Sequence, residues 1–315
     1  MPIMRTDHWI LKAALQKAFS ALPGGQVMNA LFQRYVTRSL DMDGIRFEEV
    51  LRQCRKHFES YFAVHGNSEP GFAVLELGTG WYPIIPVGLY LCGASKVTTL
   101  DIRPLLSLDK IRKTLGLFCQ SARQGSLGQL LPWADETRIQ ALANIAQRAD
   151  SLTAHGILGT MGIESIVQDA RNLGMESGSI DFIFSNVTLQ YIPNDVLLGI
   201  FAEFRRVARP RAIMSHHIYM GDELAHFDHS ITEYNFLRFS GRVWRLVNNS
   251  LIDRNRLRLS DYRRIHSSSG WVIRAEDTTY GSAADLQKVP LAREFRTYSR
   301  QDLLALRTWL VSSYS

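Results

Sequence analysis

Val74-Leu75-Glu76-Leu77-Gly78-Thr79-Gly80 limits what this chain can fold into more than any other segment. An apolar run that ends near a carboxylate and passes directly into two alternate glycines reads as a buried strand followed by a turn. Glycines serve such a turn where φ is positive or where the backbone must approach a ligand closely. Pro83 fits the first turn of a following helix, where its missing N–H would have had no intrahelical partner. Strand, glycine turn and helix N-terminus together predict a nucleotide-type site at the end of a parallel strand.

Further strands with polar tips are predicted downstream. Val97-Thr98-Thr99-Leu100 ends at Asp101, which lies 25 residues beyond Glu76. That is close to the spacing of an acid that grips ribose hydroxyls across a βαβ unit. Ile166-Val167-Gln168 ends at Asp169-Ala170, and the run from Ile180 to Phe184 ends at Ser185-Asn186. A fifth strand is read at Ala212-Ile213-Met214.

On these residues the chain resembles the class I S-adenosylmethionine-dependent methyltransferases. Glu76 to Gly80 is similar to their first motif, Asp101 to the ribose-binding acid, Gln168-Asp169-Ala170 to the adenine-contacting turn, and Phe184-Ser185-Asn186-Val187 to the fourth motif. Leu257 to Arg263 and Gly270 to Ile273 resemble the helix and strand near the end of that fold. The resemblance covers residues 70–223 and 255–315. It implies an α/β, Rossmann-like doubly wound sheet with S-adenosylmethionine as cofactor. The cofactor residues it implies are Glu76, Gly78, Gly80, Trp81, Tyr82, Asp101, Ile102, Asp169, Ala170 and Asn186. The family's third glycine is here Tyr82. Trp81 and Tyr82 are either tolerated bulk or an aromatic face beside the sulfonium or the amino acid tail, where a cation gains about 0.5–2 kcal/mol.

Around this domain, residues 1–69 are expected to form an N-terminal helical extension, with helices at 7–22, 26–39 and 46–64 and a linker at 65–71. Residues 70–315 form the cofactor domain, with lid insertions at about 105–162 and 220–255. No run approaches the roughly 18 apolar residues of a membrane span. The N-terminus lacks a secretory pattern, and Cys54, Cys92 and Cys119 show no metal or redox spacing, so a cytoplasmic setting is expected. Of the net charge of +6, residues 205–315 carry +7 and the rest −1. The basic part could attract acidic groups. Its arginines are scattered, without a dense run or an RNA-binding motif, which disfavours nucleic acid as a partner.

Methyl transfer needs alignment above all, which supplies roughly 7–11 kcal/mol. A base adds about 10²- to 10⁴-fold where the acceptor must lose a proton. The candidates follow the fourth and fifth strands: Asn186 and Tyr191, then His216 and His217. Asn186 can orient a group but is no base at neutral pH. Asp222, His226, Asp228 and His229 follow within a short stretch. Neighbouring strand residues point to opposite faces, so His216 and His217 cannot easily share a metal, and none is predicted. The run Glu233 to Phe239 is read as a helix or lid face, with Arg238 and Arg242 able to reach an acidic substrate group.

The leading expectation is a methyltransferase acting on a small molecule, in secondary metabolism. The alternative keeps the cofactor and cyclises it to azetidine-2-carboxylate with release of methylthioadenosine. An RNA methyltransferase, a nicotinamide dehydrogenase and a non-enzymatic scaffold rank lower. The dinucleotide fingerprint begins with glycine, whereas here Glu76 precedes the glycines. The oligomeric state is not legible in the sequence.

Overall fold

β1 (Ala73–Leu77) is short and buried on both faces, as its apolar run requires, and it is the third strand of a seven-stranded sheet. The other strands are β2 (Lys96–Asp101), β3 (Ile163–Val167), β4 (Ile180–Asn186), β5 (Ala208–Tyr219), β6 (Val272–Tyr280) and β7 (Ala305–Ser313). Their order is β3-β2-β1-β4-β5-β7-β6. The first five positions run parallel, while β7 lies antiparallel between β5 and β6. The order reverses between β1 and β4, and at such a switch point doubly wound sheets open a crevice at the strands' carboxyl ends. The computed structural model describes residues 42–65, 71–226, 228–248 and 254–314. The helices expected at 7–22 and 26–39, and most of the linker, lie outside the described residues.

Two cores flank the sheet because successive strand residues face opposite ways. Phe182 and Phe184 of β4 face one side, and Ile183 faces the other. The first core contains α1 (Gly44–His65), α2 (Ile84–Leu91) and the helices between β2 and β3. Those helices are α3 (Leu108–Arg123), α4 (Ser126–Leu130), α5 (Glu136–Arg148) and α6 (Ala154–Thr160). The second core contains α7 (Asn194–Val207) and α9 (Leu259–Ser268). A smaller cluster gathers Tyr234, Phe236, Leu237 and Trp244 with Leu286, Phe295, Leu303 and Leu306. Trp244 belongs to α8 (Gly241–Val247). Leu286 and Leu303 come from the one-turn helices α10 (Ala283–Gln287) and α11 (Arg300–Leu304).

Several expectations change in this light. The helix read at 46–64 is α1, but Phe47, Leu51, Cys54, His57, Phe58 and Tyr61 bury it in the first core. One core therefore crosses the boundary drawn at residue 69. The insertion at 105–162 likewise puts Ile111, Leu115, Phe118, Leu142 and Ile157 into that core. The aromatic run from Glu233, read as a helix or lid face, holds a short 3₁₀ turn, Asn235–Arg238, and gives its side chains to the core. The fifth strand is longer than the three residues read. Pro210 and Arg211 (φ 67°) interrupt its regularity, and the register with β4 shifts between Ile180 and Phe182. Among the described residues no helix is long and apolar enough to cross a membrane.

Candidate functional site

Glu76 lies in the buried part of β1, one residue before its end, with 3% of its surface exposed. Its carboxylate accepts from the Thr99 hydroxyl at 2.5 Å, and Thr99 also meets the Thr79 hydroxyl. Burial pushes the Glu76 carboxyl up to about 8, against the Thr99 bond, and the nearby Asp101 charge adds to the rise. The chain then turns through Gly78 (φ 85°) and Gly80 (φ 67°), both in the region that favours glycine. A Cβ on Gly78 would lie 2.3 Å from the Thr188 hydroxyl, so the glycine turn packs directly on the exit of β4.

Gly78→Ala is accordingly expected to cost about 2–4 kcal/mol, from left-handed strain plus overpacking. Denaturant unfolding measures it, and an unchanged midpoint would show that the turn is not so constrained.

Asp101 closes β2. One carboxylate oxygen accepts the Gly80 N–H at 3.1 Å and the other the Arg103 N–H at 3.0 Å. Burial raises its pKa, and these backbone bonds oppose the rise. Ile102 follows with 66% of its surface exposed, an apolar side chain left uncovered next to the acid. The Gln168 N–H donates to the Asp101 carbonyl at 3.0 Å and ties the tip of β3 to that of β2. Beyond it, Ala170 is buried, and Asp169 pairs with Arg171, which holds its carboxyl below the usual range. Glu76, the two glycines, Asp101 and the β3 tip therefore share one edge of the sheet. Trp81 and Tyr82 flank it. The Lys110 ammonium from α3 sits 3.4 Å from the Trp81 ring centre and 5.9 Å from that of Tyr82, so the cation over these rings is the protein's own.

The other half of the carboxyl edge is built on β4, β5 and β7. Asn186, His217, Trp309 and Asp277 occupy one row of paired positions across β4, β5, β7 and β6. His217 Nδ1 lies 3.1 Å from Asn186 Oδ1, and its ring stacks on Trp309 at 4.3 Å with planes 7° apart. Burial, then the charges of Arg307 and Lys56, push His217 down to about 4. Asn186 Nδ2 donates to Gln53 Oε1 of α1 at 2.8 Å. One turn further along α1, His57 is fully buried against the Ser215 hydroxyl at 2.9 Å, between the Phe184 and Trp309 rings. Val187, directly after Asn186, has φ 54°, a strained value for a β-branched residue.

His216 points the other way. It is fully buried among Phe201, Phe204 and His266, with Nδ1 2.8 Å from the Ser185 hydroxyl. No substrate can reach it there, so the geometry removes it from the candidate bases. Tyr191 donates its hydroxyl to Glu223, and the Arg254 guanidinium lies 5.6 Å from its ring. Burial raises the Tyr191 pKa, which makes it a poor proton carrier at neutral pH. Arg238 and Arg242 are exposed. Asn248, which carried no sequence signal, accepts the Arg254 N–H, whereas Asn249 lies outside the described residues. Among the described residues no group of three or more His, Cys, Asp or Glu could hold a metal.

Gln53, His57, Trp309 and Lys110 were not singled out by the sequence. Each arrives from an element distant in the chain, and none belongs to a strand tip of the parallel sheet. Helical spacing of Gln53 and His57 on α1 was the one available signal, and it reads equally as core packing.

A protein-family model, described as a methyltransferase domain, matches residues 124–215. That segment, under a third of the chain, is similar to a methyltransferase domain. The match runs from the end of α3 through β3 and β4 into β5, so it includes the Asn186 half of the crevice. Glu76 to Gly80 and Asp101, which carried the sequence resemblance, lie N-terminal to the matched residues. No curated protein matches the chain. Among solved structures it is similar to geranyl diphosphate C-methyltransferase from Streptomyces coelicolor A3(2), at 11% identity, TM-score 0.46, over 84% of this chain and 78% of that one. It is also similar to an S-adenosylmethionine-dependent methyltransferase from Methanosarcina mazei, at 17% identity, TM-score 0.43, over 80% and 96%. A third is magnesium protoporphyrin IX methyltransferase from Synechocystis PCC 6803, at 13% identity, TM-score 0.45, over 92% and 99%. Likenesses this remote carry no argument about the acceptor.

Proposed function

We propose that the protein transfers a methyl group from S-adenosylmethionine to a small molecule that has a proton to lose. The observation that carries this reading is the contact of Gly78 with Thr188, which joins the cofactor turn to the Asn186–His217 edge across the switch point. In this reading Asp101 takes the ribose hydroxyls, and Ile102 with the Asp169–Ala170 turn flanks the adenine. Glu76 lies beneath the glycine turn, where a cationic amino acid tail would favour its ionised form. When bound, S-adenosylmethionine supplies the methyl and a neutral sulfide leaving group. Asn186 orients the acceptor edge, and His217, neutral at physiological pH, is the base. Cys54, Cys92 and Cys119 are free thiols, which supports a reducing, cytoplasmic setting.

Calorimetry with S-adenosylmethionine and with NAD tests the cofactor half. Binding of S-adenosylmethionine alone is expected, and NAD binding in its place would replace the reading with a dehydrogenase. Mass spectrometry of the products tests the reaction. S-adenosylhomocysteine marks methyl transfer, whereas methylthioadenosine formed without an added acceptor would replace it with ring closure to azetidine-2-carboxylate.

A further inference from the structure

The amide chain behind His217 has a polarity. Gln53 presents Oε1 to Asn186 Nδ2 at 2.8 Å, and Asn186 presents Oδ1 to His217 Nδ1 at 3.1 Å. An amide whose NH₂ is committed on one side can only accept on the other. A neutral imidazole facing that oxygen must carry its proton on Nδ1, which leaves the lone pair on Nε2. The ring cannot turn away easily, because it lies flat on Trp309, whose other neighbours are His57 at 4.6 Å and the Lys56 ammonium at 4.8 Å.

We propose that Gln53 is a positioning residue, which fixes the tautomer of His217 through Asn186 and so makes Nε2 the atom that takes the acceptor's proton. The proposal rests on the methyl-transfer reading and narrows its substrate class to hydroxyl or amine acceptors. The acceptor's X–H bond breaks with its proton going to Nε2. The released electron pair forms the bond to the methyl carbon, and the C–S pair returns to sulfur. The resulting imidazolium later gives its proton to water. The groups facing His217 are Lys56 and His57 on α1, Arg307 on β7 and Asn186 on β4, with Asp277 of β6 paired to Lys56. Burial first, and then the cations, keep the ring neutral before reaction, and the neutral form is the one whose tautomer matters. A concerted flip of both amides would reverse each bond and put the proton on Nε2. The tautomer found in the wild-type protein tells the two arrangements apart.

The test reads the tautomer directly by long-range ¹H–¹⁵N correlation on histidine-labelled protein at about pH 8, well above the depressed His217 pKa. His217 is assigned by its absence in His217→Gln, or from its contacts to Trp309 protons if that variant does not fold. Wild type is expected to show the Nδ1–H form. Gln53→Glu, which can only accept, is expected to keep it. Gln53→Lys, which can only donate, must draw Asn186 Oδ1 to itself and turn the amide NH₂ toward Nδ1, so the Nε2–H form is expected. Affinity for S-adenosylmethionine is expected to stay within about threefold in both variants, since the hydrogen bond of Gln53 goes to Asn186 and not to Glu76, the glycine turn or Asp101. An Nε2–H wild type, or a Gln53→Lys protein still in the Nδ1–H form, would overturn the relay while cofactor binding stands. Wild-type protein that binds no S-adenosylmethionine would overturn the methyl-transfer reading, and the base's role with it, whatever the tautomer.

Discussion

Asp101→Ala is expected to weaken S-adenosylmethionine binding by about 10²- to 10⁴-fold, because two hydrogen bonds from ribose hydroxyls to a carboxylate contribute about 1.5–3 kcal/mol each. The same carboxylate already accepts the Gly80 and Arg103 N–H groups, so it holds the glycine turn in place before any ligand arrives. Its removal therefore costs affinity twice, through the lost contacts and through a turn no longer preorganised. Asp101→Asn separates these effects. It retains one acceptor for a backbone N–H but lacks the charge, so an intermediate loss is expected. Calorimetry gives the affinities, and thermal melts confirm that the variants remain folded. An Asp101→Ala protein that is folded and binds with wild-type affinity would show that the ribose contact lies elsewhere.

Acidification is expected to unfold the protein well before its surface carboxylates are protonated. Burial pushes His57, His216, His217 and His266 below the ordinary imidazole value, to about 4 for His217 and His266. The unfolded chain binds a proton at each of these near the ordinary 6.5, whereas the folded chain does not until lower pH. The stabilising term is thus fully present above about pH 6.5 and is lost as pH falls toward the folded values. For His266, fully buried with Nδ1 committed to the Tyr262 carbonyl, the shift corresponds to about 3 kcal/mol, gone by pH 4. Glu76 works with the opposite sign. Its folded pKa of about 8 lies above the unfolded 4.5, so its stabilising term is present below 4.5 and is lost as pH rises toward 8. Burial also raises Asp222, to about 6, and Asp101, and it lowers His65 as well, so three carboxyls stand against five imidazoles and the unfolded chain is still the stronger proton binder between about pH 5 and 6. Urea midpoints at about pH 7.5 and about pH 5 should therefore differ, with the acid value markedly lower. Equal midpoints, or a higher one in acid, would mean that the histidines are not buried as described.

Much of the cofactor half was legible because its residues are local in sequence. Positive φ at Gly78 and Gly80 follows from a strand that must turn sharply into a helix, and Asp101 meets Gly80 because adjacent parallel strands end level. The opposite orientations of His216 and His217 also followed from strand periodicity alone. Which of the two faces the crevice did not, since that depends on which helix covers which side. Trp81 and Tyr82 show the same limit. Their bulk was evident, but their partner Lys110 comes from α3, across a helical insertion whose packing no local pattern specifies. The helices expected to form lids joined the core instead, because an apolar stripe buries itself against the nearest uncovered sheet face.

By itself the sequence determined a parallel sheet with acids and glycines at its carboxyl edge, because periodicity and turn chemistry are properties of a few consecutive residues. The tertiary structure alone decided that Gln53, Asn186, His217 and Trp309 form one unit, since strand order and helix placement join positions far apart in the chain. Hydrogen-bond polarity and ring stacking depend on geometry at the scale of an ångström, and that geometry exists only once the whole sheet has assembled.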